Sequence, residues 1–324
     1  MSVPWSTSSA ASLSPDSGLG AGQVAAALPA PQAFFLPICA PAGGQRLALF
    51  HTPQAPYRGA VLFLHAFGEE MNKSRRMASL ASRALAANGF AVLQIDLMGC
   101  GDSSGEIEQA SWSAWVDDAV AAAQWLQQRH AGPMWLWGER SGCLLAAEAA
   151  PRIKGTKHFL FWQPQGSGKL MLQQFLRLKM ASQMQRGASK GVTEGLLADL
   201  ADGRVVEVAG YRLSPALALG LAAASLQQPP AAVGASRLVW LEVTSRVPAA
   251  LLPASAPLLA QWADAGYEVS SQTVAGPPFW QTVEIEDAPE LVLATTEQLL
   301  QVDAQGQVQT QTQAQPAEPA QARA

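Results

Sequence analysis

Residues 138–142 are Gly-Glu-Arg-Ser-Gly, which has the outline of the G-x-S-x-G nucleophile elbow but places Arg140 at its centre. An elbow is a tight turn from a strand into a helix, and its strained central residue requires small residues two places to either side. Gly138 and Gly142 fill those places around Arg140, whereas a turn centred on Ser141 would crowd larger side chains. The spacing therefore predicts an elbow that presents an arginine where a nucleophile usually stands.

The histidines do not support the chemistry that usually accompanies this elbow. Serine hydrolysis at such a turn follows the chain order Ser, Asp or Glu, His, with the histidine after the last strands. The four histidines are His51, His65, His130 and His158, so none lies beyond residue 158. A complete serine triad in the standard order is therefore not predicted.

Ser141, Cys143 and Cys100 are the remaining candidate nucleophiles. A thiol reacts as the thiolate and a hydroxyl needs a neighbouring base, and the sequence places no base beside any of the three. Cys39, Cys100 and Cys143 match neither a disulfide framework nor a zinc pattern, so no metal site is predicted. The default interpretation of Cys100 and Cys143 is that they are small buried apolar residues.

Arg140 is the residue most expected to bind a ligand. It projects over the predicted N-terminus of the following helix, where the backbone N–H of Ser141 is also free to donate. A guanidinium at that place predicts an anion site. The alternative is an ion pair within the protein, with a partner among Glu70, Asp96, Glu139 and Glu242.

The segment after the apolar run 60–64 is the expected second side of the site. His65, Ala66 and Phe67 begin the loop that supplies the other backbone N–H of an oxyanion hole. A single histidine without a nucleophile makes no catalytic pair. His65 is therefore interpreted as a polar residue that orders this turn, in preference to a direct chemical role.

A dense run of charged residues follows at 69–76, where a helix is predicted to begin. Acidic residues first and basic residues later are typical of a solvated helix start. The alternative is a polar rim of the site, in which Glu70, Asn72 and Lys73 contact the ligand. The sequence leaves both interpretations open.

Residues 96–105 form a glycine-rich turn after an apolar run. The turn lacks the G-x-G-x-x-G spacing of a dinucleotide site, so no cofactor is predicted. Asp96 and the glycines are interpreted as shaping a tight loop.

Short apolar runs alternate with helical patterns along most of the chain. Apolar runs are typical of strands buried on both faces, and largely apolar segments occur at 34–38, 47–50, 60–64, 90–95, 134–137, 158–162 and 237–243. A last strand is predicted at 267–274. Helices are predicted near 74–88, 112–129, 257–265 and 289–301, with another from Ser141. From 166 to 228 the pattern becomes helical, which predicts a cap inserted into the sheet. The fold class is α/β, with a mostly parallel sheet flanked by helices.

Composition and charge exclude several partners. The net charge of -4 provides no basic footprint for nucleic acid. No apolar run approaches the roughly 20 residues of a membrane span, and the N-terminus lacks a secretory pattern, so a cytoplasmic protein is expected. Residues 1–32 and 303–324 lack periodic apolar residues and are predicted to be disordered tails around one domain at 33–302.

Several of these segments together resemble one family of the α/β-hydrolase superfamily, the proteins called exosortase A system-associated hydrolase 2. The resemblance covers roughly residues 33–300 and is carried by the segments 69–76, 96–103, 137–140, 161–164, 173–178 and 276–281. It implies the α/β-hydrolase fold and a cytoplasmic protein of Gram-negative bacteria, whose loci combine exosortase protein sorting with exopolysaccharide production.

The same resemblance implies that this chain lacks the catalytic histidine of active relatives. In related active hydrolases a histidine follows the last strand, where this chain has Gly-Pro-Pro-Phe-Trp at 276–280. Glu242, or a polar residue of 244–246, lies in the region of the triad acid, and an acid without its histidine has nothing to orient. Trp280 of the late segment is added to the expected ligand contacts.

Three functions remain open. The first is a degenerate hydrolase that binds a small anionic ligand under its cap, such as an exopolysaccharide precursor or an acyl, glycosyl or phosphate-bearing intermediate. The second is an active esterase, thioesterase or acyl transferase that uses Ser141 or a cysteine with retained oxyanion donors. The third is a scaffold that docks proteins of the exopolysaccharide or exosortase machinery. Arg140→Ser with a histidine at Pro277 or Pro278 is expected to restore some ester hydrolysis.

Overall fold

The structure is a computed structural model that describes residues 29–39, 43–155, 157–184, 191–231 and 236–314. Side chains are described for these residues except 181–184 and 302–314. The predicted N-terminal tail lies outside the described residues as far as residue 28, and the predicted C-terminal tail lies outside them from residue 315.

Eight strands form the central sheet: β1 (Gln32–Pro37), β2 (Gln45–His51), β3 (Gly59–Leu64), β4 (Phe90–Ile95), β5 (Met134–Glu139), β6 (Lys157–Trp162), β9 (Arg237–Thr244) and β10 (Glu268–Ala275). Their spatial order is β1-β2-β4-β3-β5-β6-β9-β10. The pairs β1 with β2 and β2 with β4 are antiparallel, and all other pairs are parallel. The predicted mostly parallel sheet is confirmed.

Eight helices accompany the described strands: α1 (Glu69–Ala87), α2 (Trp112–Arg129), α3 (Ser141–Ala149), α4 (Gly168–Met184), α5 (Val192–Ala201), α6 (Pro215–Ala223), α7 (Ser255–Asp264) and α8 (Pro289–Ala314). Polar caps fix two of the starts. The hydroxyl of Ser111 accepts from the N–H of Ala114 at the start of α2, and Ser214 caps α6 in the same way. The last helix extends beyond the end expected near residue 301.

The sheet is covered on both faces, as its apolar strands require. One core lies between the sheet and α2, α3 and the cap, and includes Leu62, Trp115 and Leu144. The other lies against α1 and α8, and includes Trp137 and Trp162. All six residues of β3 are buried, which is the reason that its sequence shows no polar alternation.

The insertion between β6 and β9 is more than a set of helices. It contains α4, α5 and α6 and also a hairpin of β7 (Val206–Val208) and β8 (Tyr211–Leu213), which the sequence did not predict. The two turn residues Ala209 and Gly210 both have positive φ, at 50° and 87°, as a two-residue hairpin turn requires. An alanine at such a position gives little signal in sequence, because turns of this kind usually have Asn or Gly.

Candidate functional site

The turn between β5 and α3 has the strained backbone of an elbow. Arg140 adopts φ 54° and ψ -112°, a region that non-glycine residues rarely occupy. A Cβ atom at Gly142 would lie 2.0 Å from the carbonyl oxygen of Leu64, and one at Gly138 would lie 2.5 Å from the Cα of Cys143. Both glycines are therefore required by close packing, which confirms that the turn is centred on Arg140.

The side chain of Arg140 is buried and paired. Its Nη2 donates to Glu70 Oε1 at 2.9 Å and its Nε donates to Oε2 at 3.2 Å, a two-point contact with one carboxylate. The side chain of Arg140 is 4% exposed and that of Glu70 is 23% exposed. The guanidinium carbon also lies 5.3 Å from the centre of the Trp280 ring, within cation–π range. Of the four predicted ion-pair partners, the structure selects Glu70.

A cavity of about 630 Å³ opens above Arg140, between the sheet and α4. That volume falls in the range of small-molecule sites. Its apolar wall consists of Phe67, Met171, Phe175, Leu178, Leu252 and Trp280. Its polar groups are Glu69, Glu70, Lys73, Arg140 and the four glutamines Gln163, Gln165, Gln174 and Gln281.

The cap contributes its apolar wall through one face of α4. Met171, Phe175 and Leu178 line the cavity at the spacing i, i+4 and i+7, which places them on one side of a helix. Leu178 is nevertheless 47% exposed. The cavity mouth thus keeps apolar surface accessible to a ligand.

Backbone donors remain beside Arg140. The N–H groups of Phe67 and Ser141 make no hydrogen bond to any other residue that the structure describes. Gly142 packs against the end of β3, so the start of α3 adjoins the loop that begins at His65. The two predicted donors of an oxyanion hole are therefore both present at the elbow.

His65 itself is committed to the loop. Its Nδ1 contacts the carbonyl oxygen of Ala66 at 2.7 Å, and its Nε2 accepts from the N–H of Leu97 at 3.3 Å. These partners require the neutral ring with the proton on Nδ1. Burial is the main reason that the pKa of His65 is lowered. The interpretation that His65 orders the turn is confirmed.

The charged run 69–76 binds neighbouring elements together. Tyr211 of the cap hairpin donates its hydroxyl to Glu69 at 3.0 Å, and Asn72 donates to both of these residues at 3.1 Å. Lys73 donates to the carbonyl oxygen of Val283 at 2.6 Å. Asn72 is not part of the cavity lining, whereas Glu70 and Lys73 are.

The two arginines of the run extend the same pattern. Arg75 contacts Asp96 at 3.0 Å, and Arg76 makes two contacts with Asp287 at 2.7 and 2.8 Å. The hydroxyl of Ser103 also donates to the backbone carbonyl oxygen of Asp96. This hydrogen bond holds the glycine-rich turn against the end of β4. Asp96 thus shapes the loop, which is the role that its sequence context predicts. Neither a solvated helix start nor a ligand rim describes the whole run.

Glu139 is a buried acid directly before Arg140. Ser74 donates its hydroxyl to Oε1 at 2.5 Å, and Oε2 has no partner among the described residues. Burial, and then the nearby charge of Glu70, raise the pKa of Glu139 to about 8. The carboxyl of Glu139 contacts Ser74, whereas the guanidinium of Arg140 pairs with Glu70.

The candidate nucleophiles are in the wrong surroundings. Burial raises the pKa of Cys100 to about 12 and that of Cys143 well above its ordinary value. The thiol of Cys143 donates to the carbonyl oxygen of Gly138 at 3.2 Å. Ser141 is 2% exposed and is not part of the cavity lining. The interpretation of both cysteines as buried apolar residues is confirmed.

Glu242 anchors a loop and has no catalytic base to orient among the described residues. It accepts from the indole N–H of Trp240 at 2.9 Å, from the N–H of Leu252 at 2.8 Å and from the hydroxyl of Ser255. These three donors occupy both carboxylate oxygens. Glu242 therefore fixes the segment that carries Leu252 to the cavity wall.

The late segment places Trp280 beside the elbow. Trp280 is 5% exposed, lines the cavity and contacts Arg140, while Pro278 is exposed and neither Pro277 nor Pro278 lines the cavity. The prediction that a histidine at Pro277 or Pro278 would complete the site stays a prediction. Trp280 is the residue of this segment that contacts the Arg140 side chain, so position 280 is a second place at which to introduce a base.

Gln163 is a site residue that the sequence analysis did not identify. It follows β6, has φ 44° and is 7% exposed in the cavity wall. The carbonyl oxygen of the preceding Trp162 accepts the N–H of Arg140 at 3.0 Å, so Gln163 adjoins the elbow. A single glutamine after an apolar strand has no distinctive sequence signal.

The described residues contain no cluster of His, Cys, Asp and Glu side chains that could hold a metal ion. Within the same residues, no helix combines the length and the apolar character that crossing a bilayer requires.

The sheet order, the elbow and the inserted cap define the α/β-hydrolase fold, and comparison with known proteins agrees. Residues 55–212, just under half of the chain, match the family model described as serine aminopeptidase, S33. No curated protein sequence matches the chain.

Solved structures share the fold at low sequence identity. Est1E from Butyrivibrio proteoclasticus with bound ferulic acid is 16% identical and has a TM-score of 0.59, with 84% of this chain and 100% of that chain covered. A serine hydrolase without a lid from Xanthomonas campestris is 13% identical with a TM-score of 0.51, covering 90% and 97%. An esterase of the bacterial hormone-sensitive lipase family is 19% identical with a TM-score of 0.51, covering 85% and 84%. At these identities the likeness concerns the fold alone.

Proposed function

We propose that this protein is an α/β-hydrolase-fold binding protein that holds a small anionic ligand with an apolar body and does not cleave it by a serine triad. The observation that carries the proposal is Arg140 at the elbow, on the floor of a cavity and beside unused backbone donors. The anionic group contacts Arg140 and the N–H group of Phe67, both of which line the cavity. The apolar body lies along the face of α4 that carries Met171 and Phe175.

The ion pair with Glu70 leaves Arg140 able to bind. A guanidinium has five N–H donors, and Glu70 uses one on Nε and one on Nη2. The donors on Nη1 and the second on Nη2 remain for a ligand. The start of α3 adds the favourable end of a helix dipole for negative charge. Glu70 opposes an anion electrostatically, so it sets how tightly the ligand is held.

Calorimetric titration of the purified protein with octanoate and octyl phosphate tests this proposal, with octanol as the neutral control. Both anions should bind, and octanol at least about tenfold more weakly, because ionic hydrogen bonds contribute roughly 1.5–3 kcal/mol. Arg140→Ala should weaken anion binding by a similar factor. Glu70→Gln should strengthen it, because the variant keeps an acceptor for Arg140 and removes the competing charge. Equal affinity of wild type and Arg140→Ala would refute the proposal.

Catalysis of ester cleavage is not favoured by the geometry. Ser141 is buried outside the cavity lining, and burial raises the pKa of Cys143 well above its ordinary value. A panel of p-nitrophenyl esters and a fluorophosphonate probe tests this part. Turnover or labelling that exceeds a Ser141→Ala control would show that an active hydrolase is present after all.

We further propose that the ligand belongs to exopolysaccharide or exosortase-linked metabolism in the cytoplasm. The support is the resemblance of segments such as 69–76 and 276–281 to exosortase A system-associated hydrolases. An alternative role, as a scaffold for that machinery, uses the same cap. Affinity capture of wild type and Arg140→Ala from cells of the native host separates the two roles, because a scaffold keeps its protein partners in the variant.

A further inference from the structure

We infer that Gln163 is a ligand-binding residue, whose side-chain amide Nε2 donates a hydrogen bond to the anionic group held by Arg140. This inference rests on the proposed function and adds a specific donor to it. It also defines the ligand group as one that only accepts hydrogen bonds, a carboxylate or a phosphate ester.

The backbone of Gln163 is held in an unfavourable conformation. Its φ of 44° lies in the left-handed region, which glutamine seldom adopts. Two hydrogen bonds impose this conformation: its N–H donates to the carbonyl oxygen of Leu241 at 2.8 Å, and its Oε1 accepts from the N–H of Val243 at 2.8 Å. Strained residues that the surrounding structure fixes in this way cluster at binding sites.

The orientation of the side-chain amide follows from the second hydrogen bond. Because the Val243 N–H is a donor, the atom that it contacts must be the oxygen of the amide, and the nitrogen must take the other side. Nε2 has no hydrogen-bond partner in the described part of the chain, and Gln163 lines the cavity. A polar donor that is held in one orientation and has no protein partner is available to an acceptor in the cavity.

The neighbouring groups specify what that acceptor is. Gln163 adjoins the elbow, since the N–H of Arg140 donates to the carbonyl oxygen of Trp162 at 3.0 Å. Three groups of the cavity lining are donors: the guanidinium of Arg140, the N–H of Phe67 and Nε2 of Gln163. A ligand group that faces these donors must consist of acceptors, as carboxylate and phosphate oxygens do.

Gln163→Glu separates a binding role from a structural one. The variant keeps an oxygen for the Val243 N–H and replaces the Nε2 donor with a second oxygen. Affinity for octanoate and for octyl phosphate, measured by calorimetry on the full chain, should fall about tenfold or more, since a hydrogen bond to a charged group is lost. The melting temperature, measured in parallel, should change little.

Gln173→Glu is the matched control, because it makes the same chemical change at a partly exposed residue of α4 that does not line the cavity. It should weaken binding less than about threefold, since an exposed charge is screened by solvent. Equal losses in the two variants would mean a general charge effect and would overturn the role of Gln163. If wild type binds the anions and Gln163→Glu binds them equally well, the role of Gln163 is overturned and the proposed function is not. Failure of wild type to bind either anion would overturn the proposed function as well.

A measurement on the wild type covers the case in which Gln163→Glu does not fold. With glutamine side chains labelled with 15N, the Gln163 amide resonance should shift on addition of octanoate or octyl phosphate, and it should not shift with octanol. A resonance that stays in place while calorimetry shows binding would rule out the contact.

Discussion

Glu139→Gln should change how stability depends on pH. The folded protein holds the Glu139 carboxyl with a pKa of about 8, against 4.5 as its ordinary value, chiefly because the group is buried. Between these two pH values the folded state keeps a proton that the unfolded chain has released. Unfolding therefore releases a proton in this window, and the free energy of unfolding falls as pH rises. Above pH 8 both states are ionised and the fall ends.

The magnitude follows from the pKa difference. Each unit of pKa difference corresponds to about 1.4 kcal/mol, so the loss of stability from pH 5 to pH 8 is on the order of 4 kcal/mol. The amide that replaces the carboxyl in the variant has no proton to lose, and its oxygen still accepts from Ser74. The variant should thus match wild type near pH 5 and become increasingly more stable than wild type towards pH 8.

Urea unfolding of both proteins at half-unit steps from pH 5 to pH 8 measures this difference. His51 and His158, whose pKa values burial lowers to about 4, titrate in the same way in both proteins and cancel in the comparison. A difference in free energy of unfolding that stays constant within about 1 kcal/mol over this range would show that Glu139 is ionised in the folded protein. The reasoning from burial would then be wrong.

Three further predictions concern the elbow and the cap. Gly142→Ala should prevent stable folding or lower stability by more than about 3 kcal/mol, because its Cβ would overlap a β3 carbonyl oxygen, and thermal unfolding measures it. Arg140→Ser with Trp280→His should hydrolyse p-nitrophenyl acetate faster than either single variant, since the base and nucleophile act as a unit; equal rates would show that the donors are misplaced. Tyr211→Phe should make the cap hairpin more sensitive to proteolysis, because the variant lacks the hydroxyl that contacts Glu69, and it should lower the free energy of unfolding by about 1 kcal/mol.

Sequence was sufficient for features that depend on local pattern. Apolar runs identified the parallel strands, and the spacing of Gly138 and Gly142 placed Arg140 at the centre of the turn. Both inferences succeed because a buried strand and a strained turn restrict the residues that each position accepts. The pairing of His65 with its own loop also followed from the lack of a neighbouring nucleophile.

Sequence was insufficient where contacts between distant parts of the chain determine the partner of a side chain. Sequence alone makes Glu70 and Glu139 equally good partners for Arg140, and the fold decides between them by bringing the Glu70 carboxylate to the guanidinium. Asn72 contacts a cap residue 139 positions away, which no local pattern reveals. Gln163 gains its importance from hydrogen bonds to β9, a strand far along the chain.

The first two turns of α1 join four elements that lie around the cavity. Glu69 contacts the cap hairpin, Glu70 the elbow, Arg75 the loop after β4, and Arg76 the late segment. Since neighbouring residues of one helix make these contacts, we expect the four elements to open together. Hydrogen exchange in this region should therefore follow a single opening event, with the hairpin, the elbow and α1 protected to the same degree.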